Sequence, residues 1–225
     1  MSRPLKTSPL RPRKTPRQPR SSETVAAILE AAAQILETKG LEGFNTNAVA
    51  QRAGVSIGSL YQYFPGKDAL TIALMRRETA QFRADAVVAL DQPSGVAAMD
   101  LLIVATVRQQ LRRPVLARLL DVEESRPAFR TEVAKLGEFQ AALVDIIRRG
   151  DMPKTARPEV AAGDLAAMMR GMVDVAGERG EGDVEDLERR VRAAVFGYLS
   201  AVAAIDGKLL VTRGNVSRRR RSTKA

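Results

Sequence analysis

Ser56, Gly58, Ser59, Tyr61, Tyr63 and Lys67 fall in one short stretch, with Thr46 and Asn47 just ahead of it. They supply hydroxyls, an amide, a bare backbone position and one ammonium. Hydroxyls and amides donate to phosphate oxygens, and small residues let a backbone approach base edges. Tyrosine rings lie against sugars and thymine methyls. The chemistry such a set performs is recognition of nucleic acid. Covalent chemistry is poorly served, because the chain has no Cys and no His. That removes thiolate nucleophiles, zinc–thiolate sites, disulfides and the usual general base. No Gly-rich phosphate loop or paired-carboxylate motif stands out in the sequence. An enzyme is disfavoured, and no metal site or cofactor is expected.

The elements that must position these residues are legible around them. The stretch from Thr46 to Lys67 reads TNAVAQRAGVSIGSLYQYFPGK. A short helix starts at Asn45 or Thr46, both good caps, and turns Val49, Ala50 and Ala53 inward. Gly54 permits a left-handed turn, with Val55 packed beneath it. Ser56 caps a helix over Ile57–Tyr63, whose Leu60 and Phe64 point to the core. Pro65 and Gly66 break it. A supporting helix, a tight glycine turn and a short second helix make a helix-turn-helix over residues 45–64. Ahead of it, Ser22 caps a predicted helix that runs to Lys39. Val25, Ile28, Leu29, Ala32, Ile35 and Leu36 form its apolar stripe, and Gly40 stops it.

At these residues the chain resembles the TetR family of bacterial transcription regulators. The resemblance covers roughly Thr24 to Leu74 and is carried by AGVSIGSLYQYFPGKDAL, the Thr46-Asn47 pair and the Gly40-Leu41 turn. It implies an all-α homodimer. A three-helix reader is followed by a helical domain that binds a small molecule and forms the dimer, about nine helices in all. The resemblance gives Thr46 and Asn47 phosphate contacts at the start of helix 2. It gives Ser56, Gly58 and Ser59 the groove-facing start of the recognition helix. Tyr61 and Tyr63 become its base and phosphate contacts, and Lys67 a phosphate contact opening helix 4. Relatives often carry a basic residue where this chain has Ala48; Arg52, one turn on, is a candidate substitute. Surface packing remains the competing reading for Tyr61 and Tyr63, and plain capping for Ser56.

The rest of the chain reads as helices. Helix 4 is expected over about 67–90 and, by the resemblance, transmits between domains. Helix 5 is expected over about 95–112. A sixth starts at Pro114, a seventh runs over 127–149, an eighth over 158–177 and a ninth over 183–205. This places the reader at 22–82 and the regulatory and dimerisation domain at 83–206. In the family the last two long helices pair with their copies, which points to Ala162, Leu165, Met169, Met172, Val191, Ala194, Val195, Tyr198 and Leu199. Intramolecular core is the alternative for each. Met99, Leu102, Thr106, Phe139, Leu143, Met168 and Met172 are candidates to line a cavity for a hydrophobic effector, or else form a dry core.

Charge is concentrated at the ends. Residues 1–22 hold seven basic side chains and no acid, and residues 207–225 hold seven more. Against a net charge of +10, that leaves the body between them at −4. Residues 1–21, with five prolines, and 207–225 are expected to be disordered arms. They suit a polyanion, either lying along phosphates or adding only non-specific attraction. No apolar run approaches the ~18 residues of a membrane span, and no secretory signal is evident. A cytoplasmic protein is expected. The favoured reading is a ligand-responsive repressor binding a pseudo-palindromic double-stranded operator as a homodimer. An activator of the same fold and a non-specific DNA-packing protein are the competitors.

Overall fold

Pro19 opens the first helix, α1 (Pro19–Gly43). Proline suits a first helical turn, since its missing N–H is one the helix leaves unpaired there. The helix therefore begins ahead of the expected Ser22 cap. A computed structural model describes the backbone of residues 19–129 and 138–222 and the side chains of 21–129 and 139–207. Gly40 kinks α1 with φ 64° and ψ −168°. Then come α2 (Thr46–Ala53), α3 (Ile57–Tyr63), α4 (Lys67–Leu90), α5 (Gly95–Arg112) and α6 (Pro114–Glu124). A 3₁₀ turn at Pro127–Phe129 precedes α7 (Glu138–Ile147), α8 (Pro158–Glu178) and α9 (Val184–Ser222). The described residues are all helix and connection, with no strand. The seventh helix expected from Pro127 begins at Glu138 among them; residues 130–137 lie outside the described set.

The chain divides into two units. The first takes residues up to Gln81 together with Arg113–Leu136; the second takes Phe82–Arg112 and Gly137 onward. This corrects the expected boundary. α6 and the 3₁₀ turn pack with the N-terminal helices, because Leu116, Leu120 and Phe129 are buried in the same cluster as Ile28, Leu36, Phe44 and Leu60. The helical spacing of Leu116 and Leu120 shows a buried face but not its partner. Charge secures the placement. Arg113 donates from Nε to Glu37 at 2.8 Å and from Nη1 to Glu30 at 3.1 Å, both on α1. Its pKa is raised, chiefly by the Glu37 bond. Burial pushes the Glu30 carboxyl up, but the Arg113 and Arg77 charges and their bonds hold it below its ordinary value. Arg126 bonds Glu123 at 2.6 Å and Asp68 of α4 at 3.0 Å, and lies 4.5 Å over the Phe129 ring.

In the second unit α5 packs against α7, α8 and α9, with α7 on α8 and α8 on α9. The α4–α5 junction is closed from a distance. Asp151 accepts from Ser94 Oγ at 2.7 Å and from the Gly95 and Val96 amides, capping α5. Arg149 donates to the Leu90 and Gln92 carbonyls at the end of α4. Gly95 is required here, since a Cβ would lie 2.6 Å from Met152 Cγ and 2.8 Å from Asp151 Oδ1.

Two expectations fail in this unit. Ala162, Leu165, Met169, Val191, Val195 and Leu199 are fully buried in the protomer's own core. They are not free to form a dimer face; Met172, Ala194 and Tyr198 are only half-buried. The ninth helix also continues through Ser222, so the backbone of residues 207–222 is helical rather than disordered. Gly207 does not adopt the left-handed conformation that ends a helix, and no proline follows it.

Candidate nucleic-acid interface

The reader is built from local bonds. The Asn45 side chain accepts from the Ala48 amide at 2.9 Å and starts α2. Gly54 takes φ 68°, ψ 26° and ends it, which lets the Val55 amide reach the Ala50 carbonyl at 3.0 Å. Ser56 Oγ accepts from the Ser59 amide at 3.0 Å and starts α3. Val49, Leu60 and Phe64 are buried below, so the orientation of α3 is fixed by the turn and the core together.

The candidate contact residues fall on and beside the outer side of this pair. Asn47, Ser56, Gly58 and Tyr61 are exposed; Thr46, Ser59, Tyr63 and Lys67 are half-buried. Several are held in place. Thr46 Oγ1 and the Tyr61 hydroxyl are 3.3 Å apart, linking the start of α2 to α3. The Ser56 and Ser59 hydroxyls are 2.8 Å apart. Lys67 Nζ donates to the Leu41 carbonyl at 3.5 Å and sits 5.2 Å above the Phe44 ring. Arg52 leans back toward α1, donating to Gln34 Oε1 at 2.7 Å, so one of its nitrogens is engaged there. Sequence reading passed over Ile57, which is exposed at the start of α3. Its spacing hid it: three and seven residues before Leu60 and Phe64, it reads as part of their buried face, and it is exposed because it stands at the first turn of the helix.

The cavity candidates converge on the second unit's core. Met99, Leu102 and Leu143 are wholly buried there, and Phe139, Met168 and Met172 pack against the same cluster. Phe139 meets Phe82 edge-on, ring centroids 5.4 Å apart. Thr106 donates to the Leu102 carbonyl at 2.8 Å. Nearby in sequence, Gln110 donates to Asp174 at 2.7 Å; burial raises the pKa of that carboxyl. Solvent does not reach Met99, Leu102 or Leu143, so an occupant would have to part packed side chains. No helix is long and apolar enough to cross a membrane, and no carboxylate group suited to a metal ion occurs, among the described residues.

Residues 28–74, which span this reader, match the model of the bacterial regulatory proteins, tetR family. Over these residues the chain carries a DNA-binding domain of the TetR type. Among curated relatives, the chain is 33% identical over 115 residues to the HTH-type transcriptional repressor DrrR1 of Streptomyces coeruleorubidus. That match takes in 51% of this chain and 41% of the repressor, so the chain spans less than half the length of that relative. Of solved structures, the fatty acid degradation regulator FadR of Bacillus halodurans superposes with a TM-score of 0.70 at 17% identity. It covers 81% of this chain and 97% of that one. FadR of Bacillus subtilis, solved with stearoyl-CoA, gives 0.67 at 18% identity over 76% and 97%. At these identities the likeness is one of fold.

Proposed function

We propose that this TetR-family chain is a homodimeric repressor that releases a pseudo-palindromic operator when a hydrophobic small molecule binds its second unit. The observation that carries this is the capped α2–turn–α3 pair with its outward Asn47, Ser56, Gly58 and Tyr61. Thr46, Asn47, Tyr63 and Lys67 contact phosphates, while Ser56, Gly58, Ser59 and Tyr61 approach the bases. Two copies related by a two-fold axis would meet successive major grooves, so the operator mirrors that symmetry. The protein works in the bacterial cytoplasm, where its DNA lies, and the reading assigns no catalytic residue.

The dimer face lies on the outer sides of α8 and α9. Val160, Ala167, Gly171 and Val175 are exposed along α8, and Ala193, Gly197, Ala201 and Ala204 along α9. A Cβ added at Gly171 or Gly197 would meet nothing within 4 Å. The protomer therefore gives no reason for either glycine, although each costs a helix interior about 1 kcal/mol against alanine. Close approach of a second copy supplies the reason. For the effector, the Met and Phe side chains around Leu102 and Leu143 favour an aliphatic chain, and stearoyl-CoA on Bacillus subtilis FadR supports the acyl-thioester class. Such a ligand acts only if it prefers the conformer that leaves DNA.

Selection of bound duplexes from a random pool, followed by footprinting, tests the reading. A defined palindrome is expected, and a series of acyl-CoA esters should release it. Uniform coating that vanishes with salt would replace the repressor with a DNA-packing protein.

A further inference from the structure

The first turn of α3 carries a large apolar side chain that meets solvent at the edge of the buried Leu60–Phe64 face. Ile57 is 38% exposed, and Tyr61, one turn on, is 42% exposed. Leu60 and Phe64 hold the inner face. The Ser56, Ser59 and Tyr61 hydroxyls already have partners within the protein. Ser56 Oγ caps Ser59 and touches its hydroxyl, and the Tyr61 hydroxyl meets Thr46 Oγ1. Residues Ile57–Tyr63 include no charged side chain. The bidentate reading of guanine by arginine or lysine is therefore closed to α3 itself, and Gln62 is its one long amide. The remaining feature at the head of the helix is a branched hydrocarbon beside Gly58. A Cβ at Gly58 would meet only Ser56 Oγ, at 3.8 Å, so nothing bulky holds the backbone away from a groove. β-Branching leaves isoleucine one dominant χ1 in a helix, so its aim is set before contact. In the major groove the apolar mark on a base pair is the 5-methyl of thymine.

We propose that Ile57 reads a thymine 5-methyl group in each operator half-site. This rests on the operator-binding reading above and deepens it, since it names the base feature recognised. Burying one methyl corresponds to about a fourfold gain in affinity, so both half-sites together contribute roughly fifteenfold.

The test uses the full-length protein and its selected operator. Uracil, which lacks the methyl, replaces thymine at one symmetric pair of positions at a time, and equilibrium binding is measured. One pair should lose roughly fifteenfold. Ile57→Ala should bind the all-thymine operator more weakly and lose the uracil penalty at that pair while keeping penalties elsewhere. Ile57→Val should give an intermediate penalty, and thermal melts of both variants separate lost packing from lost contact, since the side chain is only 38% exposed. Uracil penalties identical in wild type and Ile57→Ala at every pair would overturn the assignment of Ile57 alone. Failure to recover any defined operator would overturn the repressor reading and this inference with it.

Discussion

The Tyr63 hydroxyl separates contact from packing. The ring is half-buried against the reader's core, so Tyr63→Ala would mix lost packing with lost contact. Tyr63→Phe removes only the oxygen. Operator affinity should fall by about tenfold to a hundredfold, the worth of one hydrogen bond in each half-site, with Tm unchanged. Unchanged affinity would remove that hydroxyl from the contact set. A second single-residue test concerns Asp151. Hydrogen bonds from the Ser94 hydroxyl and from the Val96 and Gly95 amides hold its carboxyl down at about 2, against an ordinary value of 3.8. A carboxyl lowered on folding adds stability that is present above its unfolded value and lost as pH falls through the folded one. Asp151→Asn should therefore lower Tm at neutral pH, with the gap closing between about pH 4 and pH 2. A pH-independent gap would show that the cap does not use the charge. The caps at Asn45 and Ser56 were legible in the sequence because donor and acceptor lie three residues apart. The Asp151 cap was not, since it reaches back to Ser94, Gly95 and Val96 across α5, α6 and α7.

At the scale of elements, α6 and the 3₁₀ turn after it belong with the reader. Phe129 is fully buried in the cluster that also holds Phe44 and Phe64. Phe129→Ala should cost about 3–5 kcal/mol. The loss should appear in the reader, with amide exchange accelerating in α1, α2 and the first turns of α4 before α8 and α9. Acceleration confined to α8 and α9 would return the turn to the second unit. α4 and α5 were predicted with the bounds they have, since Pro65-Gly66, Pro93-Ser94-Gly95 and Pro114 punctuate them. After residue 205 the one nearby break signal was Gly207, and it does not take the left-handed conformation that would end α9. A basic run without proline is compatible with helix, since Arg, Lys and Leu are good helix formers.

For the whole molecule, the proposed homodimer turns on which apolar surface would face a second copy. Gly171→Leu and Gly197→Leu place bulk where the protomer has open space. Helical content by circular dichroism should be retained, while sedimentation shows the dimer dissociating at least tenfold more readily and operator affinity falling with it. Variants that remain dimeric would place the interface elsewhere.

The sequence by itself determined what depends on neighbours a few residues away: the capped starts of α2 and α3, the left-handed Gly54 between them, and the buried Val49, Leu60 and Phe64. Together these made the helix-turn-helix and its candidate contact residues legible. Tertiary structure decided what depends on distant neighbours. It assigned α6 to the reader through Leu116, Leu120 and Arg113. It also turned Leu165, Met169, Val191 and Val195 into the protomer's own core and left Gly171 and Gly197 outside. The physical reason is that a helical stripe states that a face will be buried, whereas the partner that buries it is chosen by packing across the chain.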